Sequence, residues 1–226
     1  MSTREVRMPD AQSTAQTGEG QRSGAVQTSQ TAAAMTADIA DPGPLGLGAF
    51  ALTTFLLSVF NTGVIKTSPA VLEGVVLPVA LLYGGIAQLL AGMWEFKKAN
   101  TFGALAFTSY GAFWMSFAGY VYIIAPKIPA AARHETAGLF LLAWTIFTLY
   151  MLLAALRVNG AVALVFLVLE VTFILLTVGN LYNKTNIIHM GGYLGIITAF
   201  LAWYASMAGV VNATWKKTVL PVFPIK

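Results

Sequence analysis

From residue 41 onward, the chain alternates between long apolar runs and short polar breaks. Proline, asparagine, glycine and lysine fill the breaks, as at Ser68-Pro69 and Asn159-Gly160. Each run is long enough to cross the hydrocarbon core of a bilayer as a helix. The six runs lie near 45–65, 71–94, 101–125, 136–156, 161–182 and 188–211. The pattern predicts an all-α membrane protein with six transmembrane helices.

The first forty residues follow a different pattern. They are rich in Ser, Thr, Gln, Ala and Gly and contain no Phe, Trp or Tyr. Such a segment buries too little apolar surface to offset the entropy lost on ordering. It also lacks the apolar stretch of a secretory signal peptide. We therefore predict a disordered cytoplasmic tail over 1–40, a transmembrane domain over 41–215 and a short C-terminal cytoplasmic tail over 216–226.

Composition supports a lipid environment. The chain is 57% hydrophobic and 10% charged, whereas soluble domains carry about a quarter charged residues. The net charge of +4 is compatible with nucleic-acid binding, but the basic residues stand singly or in pairs between apolar runs, as topogenic charges do. We predict no nucleic-acid partner. Cysteine is absent, which excludes disulfides and thiolate metal sites.

The loop charges predict an orientation. An even number of spans places both termini on one side of the membrane. The loops of that side and the C-terminal segment hold Lys97, Lys98, Arg157, Lys216, Lys217 and Lys226. The opposite loops hold Lys66, Lys127, Arg133 and Lys184. Because basic loops stay inside, we predict cytoplasmic termini in a plasma (inner) membrane.

Small and charged residues at particular positions give local predictions. Gly191, Gly195 and Ala199 recur every four residues, a spacing that lets two membrane helices approach closely. Glu95, beside the Lys97-Lys98 pair, is predicted to lie at a solvated helix end.

Four stretches are distinctive. They are DPGPLGLGAF (41–50), YGGIAQLLAGMWEFKKANTFGALAFTSYGAFW (83–114), VGN (178–180) followed by IIHMGGYLG (187–195), and TVLP (218–221). The chain resembles the acetate and succinate transporter family of bacteria and fungi, also called the Gpr1/Fun34/YaaH family. That family usually has Asn where this chain has Asp41. An ionised Asp accepts hydrogen bonds but repels a carboxylate, so we interpret Asp41 as a helix cap.

The resemblance implies six helices per protomer around a narrow central path, in a ring-shaped homo-oligomer, a hexamer. It implies passage of small carboxylates such as acetate, with succinate handled by some members, by a proton-coupled carrier or an anion channel. We add lactate to the predicted substrates. In similar proteins three side chains form a hydrophobic constriction, and they correspond here to Phe50, Tyr110 and Leu169. No cofactor is implied, and the partners are the substrate acids, protons in the coupled case, and membrane lipid.

Acetate sets two requirements for such a path. An apolar ring contacts its methyl group and stops hydrated ions by dewetting. Neutral donors must replace water around the carboxylate, because an unpaired buried charge is very costly. The substrate-binding candidates, besides Tyr110 itself, are Thr53, Thr54, Asn61, Gln88, Ser109 and Asn180. Each can instead bond a neighbouring helix backbone.

Two ionisable residues are proton-relay candidates. Glu170 lies near the middle of the fifth run, and an ionisable group at that depth is by default a hypothesis for a functional site. It follows Leu169 directly, so the two side chains point about 100° apart on a helix. If Leu169 lines the path, Glu170 faces a neighbouring helix or protomer, where a structural hydrogen bond is the alternative role. His189 opens the sixth run and is either a proton carrier or an interface residue.

Other functional classes fit less well. His134-Glu135 begins like a zinc-binding HExxH motif, but Gly138 stands where the second His belongs. With two histidines and no G-x-S-x-G motif, we predict neither an enzyme nor a metal site. A channel for urea, short amides or other small neutral solutes is the main alternative. A membrane sensor or ammonium-export accessory is another.

Overall fold

The computed structural model describes residues 39–66 and 69–225. Nearly all of the predicted disordered tail, 1–38, lies outside these residues. The described chain is almost entirely helical, with an isolated bridge between Asn159 and Pro224. Its α-helices are α1 (Gly43–Asn61), α2 (Pro69–Leu81), α3 (Gln88–Lys97), α4 (Thr101–Gly119), α5 (Arg133–Ala155), α6 (Gly160–Leu181) and α7 (Thr185–Trp215).

Wider and tighter helical turns connect some of these helices. A π-helical turn over Leu82–Ala87 joins α2 and α3 into one continuous column. A second π turn, Tyr120–Ile124, extends α4 before the short 3-10 turns that lead into α5. A π turn inserts an extra residue into the α-helical hydrogen-bond pattern, and π turns are frequent at functional sites.

Five stretches are long and apolar enough to cross a membrane. They are Gly43–Asn61, Gly74–Lys97, Ala130–Ala155, Gly160–Leu181 and Thr185–Trp215. The remaining predicted span corresponds to α4. Its threonine, serine and glycine residues lower its mean hydropathy, so length and composition alone do not identify it. The chain is therefore an integral membrane protein with five evident spans and a sixth, more polar helix.

Helix α4 is nevertheless central to the bundle. Its buried side chains include Tyr110, Phe113 and Trp114, which pack against the aromatic and aliphatic residues of α1 and α6. Phe113 and Phe173 meet edge to face with ring centroids 5.7 Å apart. Aromatic packing of this kind makes the interior dense around the middle of the bundle.

Glycines allow the closest helix approaches. On the predicted small-residue row of α7, Gly195 lies against Ser58 of α1 and Gly191 lies against Leu176 of α6. A Cβ placed on Gly92 of α3 would stand 2.5 Å from the backbone nitrogen of Thr108 in α4. Backbone atoms cannot move aside as the end of a flexible side chain can, so this helix crossing depends on glycine at position 92.

The C-terminal segment folds back onto the helices. Helix α7 ends at Trp215, and the next residue, Lys216, has a φ of +52°. In the following segment, 218–225, which we call the C-terminal strap, the carbonyl oxygens of Val222 and Phe223 accept hydrogen bonds from Ala161 N and Gly160 N at the start of α6. The described part of the predicted C-terminal tail is thus bonded to the bundle.

The predicted solvated helix end at Glu95 is wrong. Only 1% of Glu95 is exposed, and its Oε2 accepts a hydrogen bond of 2.8 Å from Asn100 Nδ2. The start of α1 and the α3–α4 turn cover this end of α3, which removes Glu95 from solvent. Lys98, the neighbouring charge, bonds Asp41 Oδ1 at 2.7 Å. The N-cap of α1 is Pro42 and not Asp41 as predicted, although Asp41 Oδ1 accepts a hydrogen bond of 3.1 Å from Gly43 N in the first turn.

Candidate functional site

Three cavities follow one another between α1, α4 and α6. We call them the vestibule, about 320 Å³, the neck, about 20 Å³, and the chamber, about 190 Å³. Polar residues that line the vestibule are Asp41, Glu95, Lys98, Asn100, Asn159 and Asn212. The neck is lined by Leu47, Phe50, Gln88, Ala106, Phe107, Tyr110, Val165, Phe166 and Leu169. Polar residues that line the chamber are Thr54, Ser58, Asn61, Thr172 and Asn180.

The cavities adjoin through shared walls. The vestibule and the neck share Leu47 and Phe107, and the neck and the chamber share Phe50 and Leu169. Along α1 the lining positions progress from the first turn to the last. A helix of this length spans about 27 Å at 1.5 Å per residue, close to the thickness of a bilayer core. The row of cavities therefore runs the length of α1 through the bundle.

The three predicted constriction residues meet at the neck. Phe50, Tyr110 and Leu169 are all at least 95% buried, and the rings of Phe50 and Tyr110 lie 5.6 Å apart. A volume of about 20 Å³ is near the space that one water molecule needs. The neck is therefore too narrow for an ion with its hydration shell.

Helix α5 fixes the orientation of Tyr110. The Tyr110 hydroxyl lies 2.9 Å from Thr148 Oγ1, and Thr148 in turn donates to the Trp144 carbonyl at 2.7 Å. The ring packs edge to face on Phe147 with centroids 5.3 Å apart. The hydroxyl is thus engaged by α5, and the ring borders the neck.

Two of the predicted candidates are buried with unpartnered atoms beside these cavities. Gln88 lines the neck, is 1% exposed, and its Oε1 has no hydrogen-bond partner among the described residues. Thr54 lines the chamber, and its buried Oγ1 is likewise without a partner there. Buried polar atoms are normally paired, so the Thr54 hydroxyl is free to donate to a molecule in the path, whereas Gln88 Oε1 can only accept.

Two asparagines line the chamber, Asn61 of α1 and Asn180 of α6. Asn180 Nδ2 donates to the Leu176 carbonyl at 2.8 Å, and its Oδ1 lies 3.4 Å from His134 Nδ1. Both asparagines lie in the last turn of their helices, so the chamber's end furthest from the vestibule is polar.

Other candidates lie outside the three linings. Thr53 Oγ1 donates to the Ala49 carbonyl at 2.9 Å and packs against Gly84. Ser109 is half-buried on α4. The structure does not bring these two hydroxyls to the row of cavities, because they project from other faces of their helices.

The proton-relay candidates also stand apart from the cavities. Glu170 is 5% exposed, and its Oε2 has no partner among the described residues. It is absent from the three linings, as the 100° turn from Leu169 requires. His189 packs against Gly63, whose φ of +71° and lack of a Cβ make room for the imidazole.

Sequence reasoning missed Ser58 in the chamber and the charged residues of the vestibule. The signal for Ser58 was available, because Phe50, Thr54, Ser58 and Asn61 recur at helical spacing along one face of α1. No group of three or more His, Asp or Glu side chains able to hold a metal ion occurs within 39–66 and 69–225.

Comparisons with known proteins identify close relatives. The family model described as the GPR1/FUN34/yaaH family matches residues 23–226. The succinate-acetate/proton symporter SatP of Escherichia coli K12 is 39% identical over 184 residues, covering 81% of this chain and 95% of SatP. Acetate permease A of Emericella nidulans is 42% identical over 199 residues, covering 81% of this chain and 65% of the permease.

A solved structure agrees with these relatives. The structure of the bacterial acetate channel SatP superposes with a TM-score of 0.75 at 38% identity, covering 82% of this chain and 99% of that one. The sequence and structure comparisons therefore cover similar shares of the chain. The resemblance carried by the four stretches is confirmed, and the chain belongs to the GPR1/FUN34/yaaH family of membrane transport proteins, which are not enzymes.

Proposed function

We propose that this protein carries small monocarboxylates, acetate foremost, across the membrane along the vestibule, the neck and the chamber. The observation that carries the proposal is the 20 Å³ neck between two larger cavities, bounded by Phe50, Tyr110 and Leu169. The names of the relatives support acetate as a substrate. Succinate and lactate are larger, and we propose that they pass more slowly.

The neck suits a molecule with one apolar and one charged end. Phe50 and Leu169 offer apolar contact to a methyl group, which needs no hydration. A carboxylate that has lost water needs donors, because an unpaired buried charge is very costly. The Thr54 hydroxyl in the chamber supplies a neutral donor next to the narrowest point, and the Gln88 amide at the neck can donate through its Nε2 group.

We propose channel-like passage. Among the residues that line the neck and the chamber, Tyr110 is the one titratable side chain, and Thr148 engages its hydroxyl. Glu170 and His189 lie outside these linings. A path without a carboxyl or imidazole group at its narrowest point favours diffusion of the anion over obligatory proton exchange. The two SatP proteins are described once as a symporter and once as a channel.

We further propose α4 with its π extension as the sixth span. Residues 101–124 would reach about 36 Å along a helix axis, enough to cross the bilayer core. Thr108 and Ser109 of α4 are partly buried, and the exposed Ser116 hydroxyl donates to the Ala112 carbonyl at 2.7 Å, so the low hydropathy of α4 does not prevent insertion. Cytoplasmic termini, a plasma-membrane location and a hexameric ring belong to the same proposal and are supported by the loop charges and the resemblance.

Uptake by proteoliposomes tests the function. Purified full-length protein is reconstituted, and labelled acetate, lactate, succinate and urea are supplied with and without an imposed pH gradient. We expect acetate flux above that of empty vesicles at zero pH gradient, with lactate and succinate slower. Urea flux exceeding acetate flux would instead establish the neutral-solute channel. Acetate flux that requires the gradient would replace the channel with a coupled carrier.

A further inference from the structure

The vestibule contains a charge arrangement that the neck and the chamber lack. Lys98 is the one cationic side chain among the described residues lining it. Lys98 belongs to the turn after α3, and the vestibule leads from there to the neck through the shared walls at Leu47 and Phe107. A substrate anion approaching from this side passes the Lys98 ammonium before any dehydration at the neck.

The partner of Lys98 resembles the proposed substrate. The Asp41 side chain is a methylene group bearing a carboxylate, which is acetate attached to the backbone. Its Oδ1 lies 2.7 Å from Lys98 Nζ and 3.1 Å from the Gly43 amide nitrogen. Lys98 therefore already holds an acetate-like group at the mouth of the path.

This ion pair is accessible and weak. The Lys98 side chain is 30% exposed and that of Asp41 is 53% exposed. Ion pairs in contact with solvent contribute little to stability, so little free energy opposes the displacement of Asp41 by a second carboxylate. The other carboxyl of the vestibule is engaged elsewhere, because Glu95 accepts from Asn100 and packs against Gly103.

We propose that Lys98 is a carboxylate-capture site of the vestibule and that Asp41 is its resident counter-ion, displaced when a substrate carboxylate arrives. This inference rests on the proposed transport of monocarboxylates. Asp41 competes with the substrate carboxylate for the Lys98 ammonium, so it lowers the apparent affinity of the protein for substrate. The same competition prevents anions from binding tightly in the vestibule. The ligand class is any small carboxylate with an unhindered head group.

Equilibrium exchange of labelled acetate by the reconstituted full chain tests this assignment. Lys98→Gln is expected to raise the KM about three-fold, because the screened attraction of one exposed charge is lost. Asp41→Asn keeps the side-chain size but removes the competing charge, and is expected to lower the KM about three-fold. In the double variant the Asp41→Asn effect disappears, since no ammonium remains to be released.

Matched controls separate capture from general charge effects. Lys97→Gln removes an exposed neighbouring charge that is not part of the vestibule lining and should leave the KM unchanged. Lys98→Arg keeps the charge and should stay near the wild-type KM. In the wild type the KM should rise with added salt, because salt screens an exposed ammonium. This dependence is measured without any variant and so does not rely on variant folding.

The outcomes distinguish the two proposals. Wild-type protein that carries no acetate contradicts the proposed function. Acetate flux in which Lys98→Gln and Lys97→Gln have equal KM values leaves transport intact and refutes capture by Lys98. A KM that rises in Asp41→Asn refutes the role of Asp41 as a competing counter-ion, and a salt-independent wild-type KM refutes the capture site as a whole.

Discussion

At the scale of single residues, the neck allows a test of size selection. Leu169 is 4% exposed and separates the neck from the chamber, so its side chain can be shortened without removing a polar group. We expect Leu169→Ala to raise lactate and succinate uptake several-fold relative to acetate, because the narrowest point widens. The deleted methyl groups should lower stability by about 2–5 kcal/mol, the usual cost of a core cavity. Proteoliposome uptake and a thermal melt measure the two effects.

Leu167, two positions earlier on α6, provides the control. It is 49% exposed on the outer surface of the chain, so Leu167→Ala removes the same atoms without touching the neck. Its uptake ratios should match those of the wild type. If Leu169→Ala is folded and its lactate to acetate ratio equals that of Leu167→Ala, the three side chains do not set the size limit.

Glu170 allows a second residue-scale test. It is buried on α6 but outside the vestibule, neck and chamber linings. We therefore expect Glu170→Gln to keep the wild-type dependence of acetate flux on pH. Flux is measured from pH 5 to 8, with Glu135→Gln as an exposed control. A pH profile that flattens only in Glu170→Gln would restore this residue as the proton site.

At the scale of helices, the α3–α4 crossing depends on glycines, among them Gly92. A methyl group on Gly92 would meet the backbone of Thr108 at 2.5 Å, and neither helix can yield locally. We expect Gly92→Ala to destabilise the protein by about 1–3 kcal/mol through overpacking. Gly119→Ala is the matched change, because nothing lies within 4 Å of its Cβ position. Equal melting temperatures for the two variants would contradict this close approach.

The C-terminal strap is a second helix-scale feature with a measurable consequence. Asn212 holds it in place, donating to the Leu220 carbonyl at 2.8 Å and accepting from Val219 N and Leu220 N. We expect Asn212→Ala to cost about 1–3 kcal/mol and to speed hydrogen exchange at Gly160 and Ala161, whose amides bond the strap. Asn186→Ala, exposed near the other end of α7, should change neither quantity. If the hydrogen-exchange rates of Gly160 and Ala161 do not change in Asn212→Ala, the strap is held in place without the Asn212 side chain.

The positions of most helices followed from the length of the apolar runs, but what surrounds each helix did not. The run predicted near 161–182 is α6 at Gly160–Leu181, because an apolar segment in lipid has no alternative to a helix. Glu95 was predicted incorrectly because its burial depends on α1, which is distant in sequence. The strap was missed because its bonds use backbone carbonyls, which carry no sequence signal.

At the scale of the whole molecule, the site was only partly predictable. Phe50 and Tyr110 lie together at the neck, but their pairing was inferred from a family resemblance, since apolar residues of different helices give no register between them. Thr53 and Thr54 looked equivalent in sequence, and only the packing of α1 directs Thr54 into the chamber and Thr53 toward Gly84. The chemical character of each side chain could be read from the sequence. Which of these side chains meet at one site could be known only from the fold.

The orientation of the protein in the membrane determines whether the vestibule opens to the cytoplasm or to the outside of the cell. Glu95, near the end of α3, lines the vestibule with the start of α1, while Lys184 precedes α7 at the opposite end of the bundle. Because basic loops remain in the cytoplasm, we expect Lys97→Cys, beside this end, to be cytoplasmic. The chain contains no cysteine, so each single-cysteine variant has one reactive thiol.

A membrane-impermeant maleimide applied to intact cells should label Lys184→Cys at once and Lys97→Cys only after permeabilisation. The same pattern would place the captured carboxylate at the cytoplasmic mouth, where Lys98 collects acid that is about to leave the cell. Labelling of Lys97→Cys in intact cells would reverse the orientation, and Lys98 would then collect acid from outside. Labelling of both variants from one side would exclude an odd number of spans between positions 97 and 184, and with it the six-span arrangement.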